Sequence, residues 1–377
     1  MIFVTPDRVG PAPGGIGGIL HALGNRLGRG EYELTAVAPR HHLADAPPVD
    51  NPSSIEEIDA RTLRRRISNY DPKDTILHFN YPLLHPELIL LSPGSIPAIA
   101  TIHTSAIGEL RSLQTVSHDS LTSKDAAFIG TFPLQYFAES RGGGASVLVG
   151  VSRSVMNETK ASHVRGSNWR WQVVPNGIDL DLFTRRLPGR ASDRPILLFV
   201  GRHIARKGVA DLLRAFGRVR LHSSRPLLVL TGQPSTATHQ LVRKYLPPAA
   251  RADVTIAGFV SRERLAKLLS EATALVFPSH YEGCPLALLE ALGAGCPVIG
   301  YAIPSVLEIV GEENSGCVLV PPFSVGALCK AIVDLLDSAE QQNKLRAEAV
   351  HKARSSFDIE RVATSYRSLY AAALEGG

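Results

Sequence analysis

Residues 277–296 read FPSHYEGCPLALLEALGAGC, and the way this stretch changes character decides the fold. The apolar run ALVF at Ala274 to Phe277 has the length and composition of a buried strand. Gly283 and Pro285 then break the chain, and helical spacing runs from Leu286 to Leu292. A strand, a polar loop and a helix start, in that order, belong to a doubly wound α/β sheet, where ligands sit outside the carboxyl ends of the strands. A helix N-terminus there offers free backbone N–H groups to an anion, so phosphate is the first ligand to consider. Two acids, Glu282 and Glu290, lie along the turn with seven residues between them.

Working outward, the alternation repeats. In the second half, ILLFV at Ile196 to Val200 reads as a buried strand, and Val209, Leu212, Leu213 and Phe216 mark the helix after it. Further strands are expected at Leu227 to Leu230, Val254 to Ile256, Pro297 to Gly300 and Gly316 to Val320. In the first half, strands are expected at Ile2 to Thr5, Glu33 to Ala38, Thr75 to Phe79, Ile96 to Ile102 and Ser146 to Val151. Two doubly wound sheets therefore follow one another, with a Pro-, Gly-, Arg- and Asp-rich linker at Leu187 to Pro195. The cleft between two such domains is the expected ligand site.

Length and charge agree with this division. A chain of 377 residues is too long for one typical core, so two domains are expected. With 44% hydrophobic and 20% charged residues the composition is that of an ordinary globular protein, which excludes disordered and fibrous classes. The net charge of +5 comes from scattered basic residues, Arg64, Arg65 and Arg66 forming the one tight cluster. That cluster reads as a solvated helix face; association with a membrane surface through it stays open, and nucleic acid is not expected. Cys284, Cys296, Cys317 and Cys329 form no C-x-x-C pair, which argues for free thiols in a reducing compartment and against structural zinc. The amino terminus, MIFVTPD, has no basic n-region, and no apolar stretch reaches membrane-spanning length, so a cytoplasmic location is expected.

Several polar features fall at expected strand ends. Gly14, Gly15, Gly17 and Gly18 feed a helix carrying Ile19, Leu20, Leu23 and Leu27, as either a phosphate cradle or a close helix packing. A dinucleotide fingerprint starting at Gly15 needs glycine where Leu20 stands, and no acid ends the next strand, which counts against NAD. His103, in Thr101-Ile102-His103-Thr104-Ser105, is either a structural histidine or a ligand contact. The loop Gly201-Arg202-His203-Ile204-Ala205-Arg206-Lys207-Gly208 makes Arg202 and Lys207 phosphate candidates, against the simpler reading of a solvated basic loop. Trp169 and Trp171 read as one strand's edge, and residues 105–141 as a helical stretch with a long loop.

Taken together, Gly14-Gly15, His103-Thr104, Val174-Pro175-Asn176-Gly177-Ile178-Asp179, Gly201-Arg202, Lys207-Gly208, Gly258-Phe259-Val260, Glu282-Gly283-Cys284-Pro285-Leu286, Glu290-Ala291 and Gly316 to Pro321 resemble the retaining glycosyltransferases of family 4. The resemblance runs almost the length of the chain. It implies a GT-B fold, two Rossmann-like α/β domains facing across a cleft. The expected divisions are an acceptor-side domain at 1–185, a donor-binding domain at 186–356, and a terminal helix at 357–377 crossing back to the first domain. It further implies that a sugar moves from a UDP- or GDP-linked donor to an acceptor hydroxyl with retention of configuration, without metal or cofactor.

The roles it implies are specific. Arg202 and Lys207 would neutralise the donor diphosphate and the leaving group. Backbone N–H groups of Gly15, Cys284 and Leu286 would add uncharged donors, while Gly283 and Pro285 shape the turn. Glu290 would hold the ribose hydroxyls and Glu282 the transferred sugar; Gly258, Phe259 and Val260 would border the base. His103 would steady the sugar or the developing charge. Asp179-Leu180-Asp181 mimics a metal-binding D-x-D and reads as incidental. Tyr301 to Glu308 and Thr231-Gly232-Gln233-Pro234 depart from the family pattern and bear on donor choice. A carbohydrate, a lipid carrier and a small natural product are all open as acceptor. A nucleotide-sugar epimerase or phosphorylase, a pair of hydrolase carboxylates, and a non-catalytic sugar-binding protein are the competing readings.

Overall fold

Runs of aliphatic residues buried on both faces become parallel strands, and here they do so twice. The computed structural model describes residues 1–5, 15–27, 33–37, 56–82, 88, 93–141, 144–162, 169–184, 193–222, 224–313 and 315–375. These residues fall into two units. Unit 1 comprises 1–109, 130–177 and 359–377, and unit 2 comprises 110–129 and 178–358. Residues 187–192 of the stretch read as a linker, and Gly14 of the glycine turn, lie outside the described residues.

Unit 1 contains β1 (Ile2–Val4), β2 (Thr35–Val37), β3 (Glu56–Ile58), β4 (Leu77–Tyr81), β5 (Ala98–Ile102), β6 (Val147–Gly150) and β7 (Arg170–Val173). They pair in parallel in the order β3-β2-β1-β4-β5-β6-β7. β1, β4, β5 and β6 are buried along their whole length. β7 is an edge strand with alternating exposure, which accounts for the tryptophan pair: Trp171 lies in it and Trp169 just before it. β3, with the sequence EEI, carries no apolar run, and sequence patterning gives no sign of it.

Helix Gly15–Leu27 follows β1 and buries Leu20, Leu23 and Leu27. They share one core with Ile359, Val362, Ala363, Tyr366 and Tyr370 of the terminal helix Ile359–Glu375, so both ends of the chain meet in unit 1. At the centre is a buried polar chain. His78 Nδ1 is 2.9 Å from Tyr370 Oη, His78 Nε2 is 2.8 Å from Thr101 Oγ1, and Thr101 Oγ1 is 2.9 Å from Tyr366 Oη. Both ring nitrogens are satisfied by hydroxyls, so burial costs little while the ring is neutral.

Unit 2 contains β8 (Ile196–Val200), β9 (Leu227–Thr231), β10 (Val254–Gly258), β11 (Ala274–Phe277), β12 (Val298–Tyr301) and β13 (Cys317–Val320), in the order β10-β9-β8-β11-β12-β13, again all parallel. The strand order reverses between β8 and β11, so their carboxyl ends form a topological switch point. Residues 105–141 are helical for most of their length, as helices Ala106–Ser112 and Ser123–Arg141, and the part from 110 to 129 packs with unit 2. Among the described residues, no helix is long and apolar enough to cross a membrane.

Burial pushes the His78 ring down to about 3 from its usual 6.5. The unfolded chain takes up this proton below pH 6.5 while the folded unit does not, so stability is lost as pH falls. At pH 5 the loss from this group is about 2 kcal/mol. The only tryptophans in the chain, Trp169 and Trp171, both belong to unit 1, so urea unfolding followed by their fluorescence reports that unit. The transition is expected to weaken between pH 7 and pH 5 in the native chain and to weaken less in His78→Gln.

Candidate functional site

The unit 2 site is built where β8 and β11 end. β8 is followed by the basic loop 201–208 and β11 by the loop 278–285, and the two loops lie against each other. Gly208 makes this approach possible. Its φ is +72°, and a Cβ there would stand 2.0 Å from the carbonyl oxygen of Pro278. Gly232, after β9, meets the same constraint, since a Cβ would stand 2.1 Å from the carbonyl oxygen of Gly201.

With the loops in contact, Lys207 Nζ lies 2.5 Å from Glu282 Oε1. Arg206 Nη1 lies 3.8 Å from Glu282 Oε2 and donates to the Tyr281 carbonyl at 3.2 Å, while the Arg206 carbonyl accepts from His280 N at 2.7 Å. Glu282 and Arg206 are 6% and 3% exposed, so neither is a solvated surface charge. Burial pushes the Glu282 carboxyl up, but Lys207 and Arg206 outweigh it and hold the group below its usual range. Burial draws Lys207 down to about 8, against the pull of Glu282 in the other direction. Arg202 is exposed, and its charge acts on both Lys207 and Lys124.

Glu290 occupies a second position. Pro285 is the cap of helix Leu286–Gly293, with extended backbone, and Glu290 points from the helix's buried face. Its carboxyl is pushed up to about 7 by burial, partly offset by Arg262, whose Nη2 is 3.7 Å from Glu290 Oε1. Arg262 also lies over the Phe183 ring at 5.4 Å and begins the helix after Gly258-Phe259-Val260. The loop that ends β10 is thereby tied to Glu290. Gly258 has a φ of +67°, Phe259 is 60% exposed and Val260 is half-buried. Gly283, Cys284 and Pro285 are buried, and Leu286 is half-buried at the helix start.

Behind the loops Asp211 acts as a hub. Its Oδ2 is 3.0 Å from His280 Nε2 and accepts from Tyr301 Oη at 2.9 Å, and its Oδ1 is 3.3 Å from Arg214 Nη1. Residues 110–129 join the same network. Thr115 Oγ1 is 2.8 Å from His280 Nδ1, Ser117 Oγ accepts from Arg214 Nη2 at 3.2 Å, and Lys124 donates to the Gln233 side chain. Both family departures acquire contacts here: Tyr301 meets Asp211, and Gln233 meets Lys124. Glu308 is exposed on helix Pro304–Val310.

In unit 1, Gly15 is the exposed first residue of its helix, with a φ of +77°. His103 is buried at the end of β5, with Nε2 3.2 Å from Asn80 Oδ1 and Nδ1 without a hydrogen-bond partner among the described residues. Burial holds this ring down at about 4.

A family model described as "Glycosyl transferases group 1" matches residues 183–352, which carry every one of the unit 2 side chains named above apart from those of 110–129. The matched stretch lies wholly within unit 2. Over 203 residues the chain is 30% identical to the MMP alpha-(1->4)-mannosyltransferase of Mycolicibacterium hassiacum, covering 54% of this chain and 48% of that protein. It is 29% identical over 312 residues to the glycogen synthase of Mycobacterium tuberculosis, covering 80% of this chain and 70% of that protein. The chain thus spans about half the length of the first of these relatives. Among solved structures, sucrose-phosphate synthase from Thermosynechococcus elongatus superposes with a TM-score of 0.79 at 21% identity, over 100% of this chain and 99% of that one. The Anabaena HepE protein, solved with UDP and glucose, superposes with a TM-score of 0.73 at 12% identity, over 98% of each chain. The fold is GT-B.

Unit 2 uses residues that sequence reading passes over. Arg206 sits in the quoted basic loop but resembles one more solvated arginine; only the fold buries it against Glu282. Asp211 has a visible signal, an acid on the apolar face of a helix reading VADLLRAF. Arg262 and Lys124 have none. In unit 2, Glu282→Gln leaves Arg206 buried without its carboxylate and is expected to cost about 3–5 kcal/mol of stability. Urea unfolding followed by circular dichroism checks this; a loss below about 1 kcal/mol would mean that the cation is satisfied elsewhere.

Proposed function

We propose that this protein is a glycosyltransferase that takes a sugar from a UDP- or GDP-linked donor and passes it to an acceptor hydroxyl with retention of configuration. The observation that carries the reading is the Lys207–Glu282 contact at the switch point of a group 1 domain, with exposed Arg202 beside it. A diphosphate needs fixed positive charge, and a sugar needs acceptors for its hydroxyls; this pair supplies one of each within 2.5 Å. The helix start at Leu286 adds backbone N–H donors. Glu290, tied through Arg262 to the β10 loop, takes the ribose hydroxyls, and the exposed Phe259 ring borders the base.

In this mechanism Lys207 and Arg202 carry the charge that appears on the nucleoside diphosphate as the glycosidic bond breaks, which is more than the bound donor carries, so they stabilise the transition state preferentially. They take the part that a divalent cation plays in metal-dependent transferases. The acceptor oxygen enters from the face that the diphosphate leaves, its proton passing to a leaving-group oxygen, and no protein nucleophile takes part. Glu282 orients the sugar. The acceptor is a carbohydrate, a lipid carrier or a small natural product, and the protein works in the cytoplasm. The UDP bound to the structurally similar HepE supports a nucleotide donor.

The charge states set a pH window. Glu290 must be ionised to accept from two hydroxyls, which requires pH above about 7, and Lys207 must be protonated, which requires pH below about 8. Nucleotide affinity, measured by calorimetry, is expected to peak between these values, with the acid limb missing in Glu290→Gln and the alkaline limb missing in Lys207→Arg. The reading itself is tested by incubating the protein with UDP- and GDP-sugars. Release of nucleoside diphosphate, lost on Arg202→Ala or Glu290→Ala, supports it. No release from any donor, together with unchanged nucleotide affinity in both variants, overturns it; epimerised donor without release points to an epimerase.

A further inference from the structure

We propose that Asn80 is a positioning residue that holds His103 as the neutral tautomer protonated on Nε2, leaving Nδ1 as a bare acceptor for a ligand hydroxyl. The orientation of the Asn80 amide decides this. Its Nδ2 lies 3.1 Å from the carbonyl oxygen of His78 and 3.4 Å from that of Val4. Reversing the amide would set Oδ1 against two oxygens that cannot donate, so the end facing His103 Nε2, at 3.2 Å, is Oδ1. An amide oxygen only accepts; Nε2 therefore carries the hydrogen. In a neutral ring Nδ1 is then a lone pair.

That lone pair is buried and has no partner among the described residues, at the carboxyl end of β5 beside the switch point between β1 and β4. An unsatisfied buried acceptor costs about 1–3 kcal/mol, which a hydroxyl donated by a ligand would recover. Charging the ring would destroy the acceptor, and burial opposes it, holding the ring down at about 4. The His78 ring, which feels the charge of His103, is itself depressed to about 3 and has both nitrogens engaged by Tyr370 and Thr101, so it competes for neither proton nor ligand. The position of Asn80 at the end of β4, with its amide spanning β1 and β4 backbone, explains how a single side chain fixes a ring on the next strand. His103 thus acts by accepting from a hydroxyl and does not act as a cation. Only the identity of that hydroxyl, as one on a transferred sugar or its acceptor, rests on the transferase reading.

The test uses the full chain labelled with 15N-histidine, its 13 histidines resolved by long-range proton–nitrogen correlation and His103 assigned by comparison with His103→Gln. The expected pattern is a neutral Nε2–H ring from pH 5 to pH 8, with Nδ1 shifting on addition of a UDP- or GDP-sugar. An Nδ1–H ring or an imidazolium at pH 7 overturns the proposal. Asn80→Asp puts a carboxylate against Nε2–H and is expected to raise the ring's proton affinity, moving the acid limb of nucleotide-sugar turnover up by about one pH unit or more while activity recovers at pH 8. Equal loss at every pH, which a packing defect would give, counts against a tautomer-setting role. An Nε2–H ring that no nucleotide sugar perturbs supports the role of Asn80 and tells against the transferase reading instead.

Discussion

A lysine and a carboxylate held 2.5 Å apart in a mostly dry setting constrain everything around them in unit 2. Burial works against each charge, and Lys207 together with the Arg206 guanidinium holds Glu282 ionised. The contact exists only because Gly208 lets one loop lie on the Pro278 carbonyl and because β8 and β11 are neighbours with the strand order reversing between them. The same low dielectric that makes the pair costly makes it effective toward an anion. A diphosphate arriving beside Lys207 finds a cation already desolvated and fixed in direction, so little reorganisation is needed when charge develops.

The two units solve the problem of buried polarity differently. Unit 2 pairs charges: Glu282 with Lys207 and Arg206, Glu290 with Arg262, and Asp211 with Arg214 while Tyr301 and His280 share its second oxygen. Residues 110–129 are part of that arrangement, since Thr115 and Ser117 complete the hydrogen bonds of His280 and Arg214. In unit 1 burial keeps the His78 ring neutral and hydroxyls satisfy it, in the chain from Tyr370 through His78 and Thr101 to Tyr366. His103 differs from His78 in having one ring nitrogen satisfied and one open.

Much of this was legible in the residues. Aliphatic runs such as ILLFV and ALVF locate the central strands because a strand covered on both faces needs apolar side chains at every position. β3 was not legible, because an edge strand reading EEI has no such requirement. Glu282 and Glu290 stood out by their spacing, but that both carboxylates are buried is something spacing does not report. Arg206 and Arg262 were hidden by the abundance of arginine, whose surface and buried uses look alike in a sequence.

By itself the sequence determined the doubly wound alternation, the turn chemistry at Gly208 and Gly283-Pro285, and which loops carry acids and bases, since these follow from local patterning. Only the tertiary structure decided which charge meets which. Lys207 and Glu282 are 75 residues apart in the chain, and Asn80 and His103 are 23 apart. Their contacts come from strand order, and strand order is set by packing whole helices against a sheet. The same packing decides the protonation of His103, because a ring's tautomer depends on what faces each nitrogen.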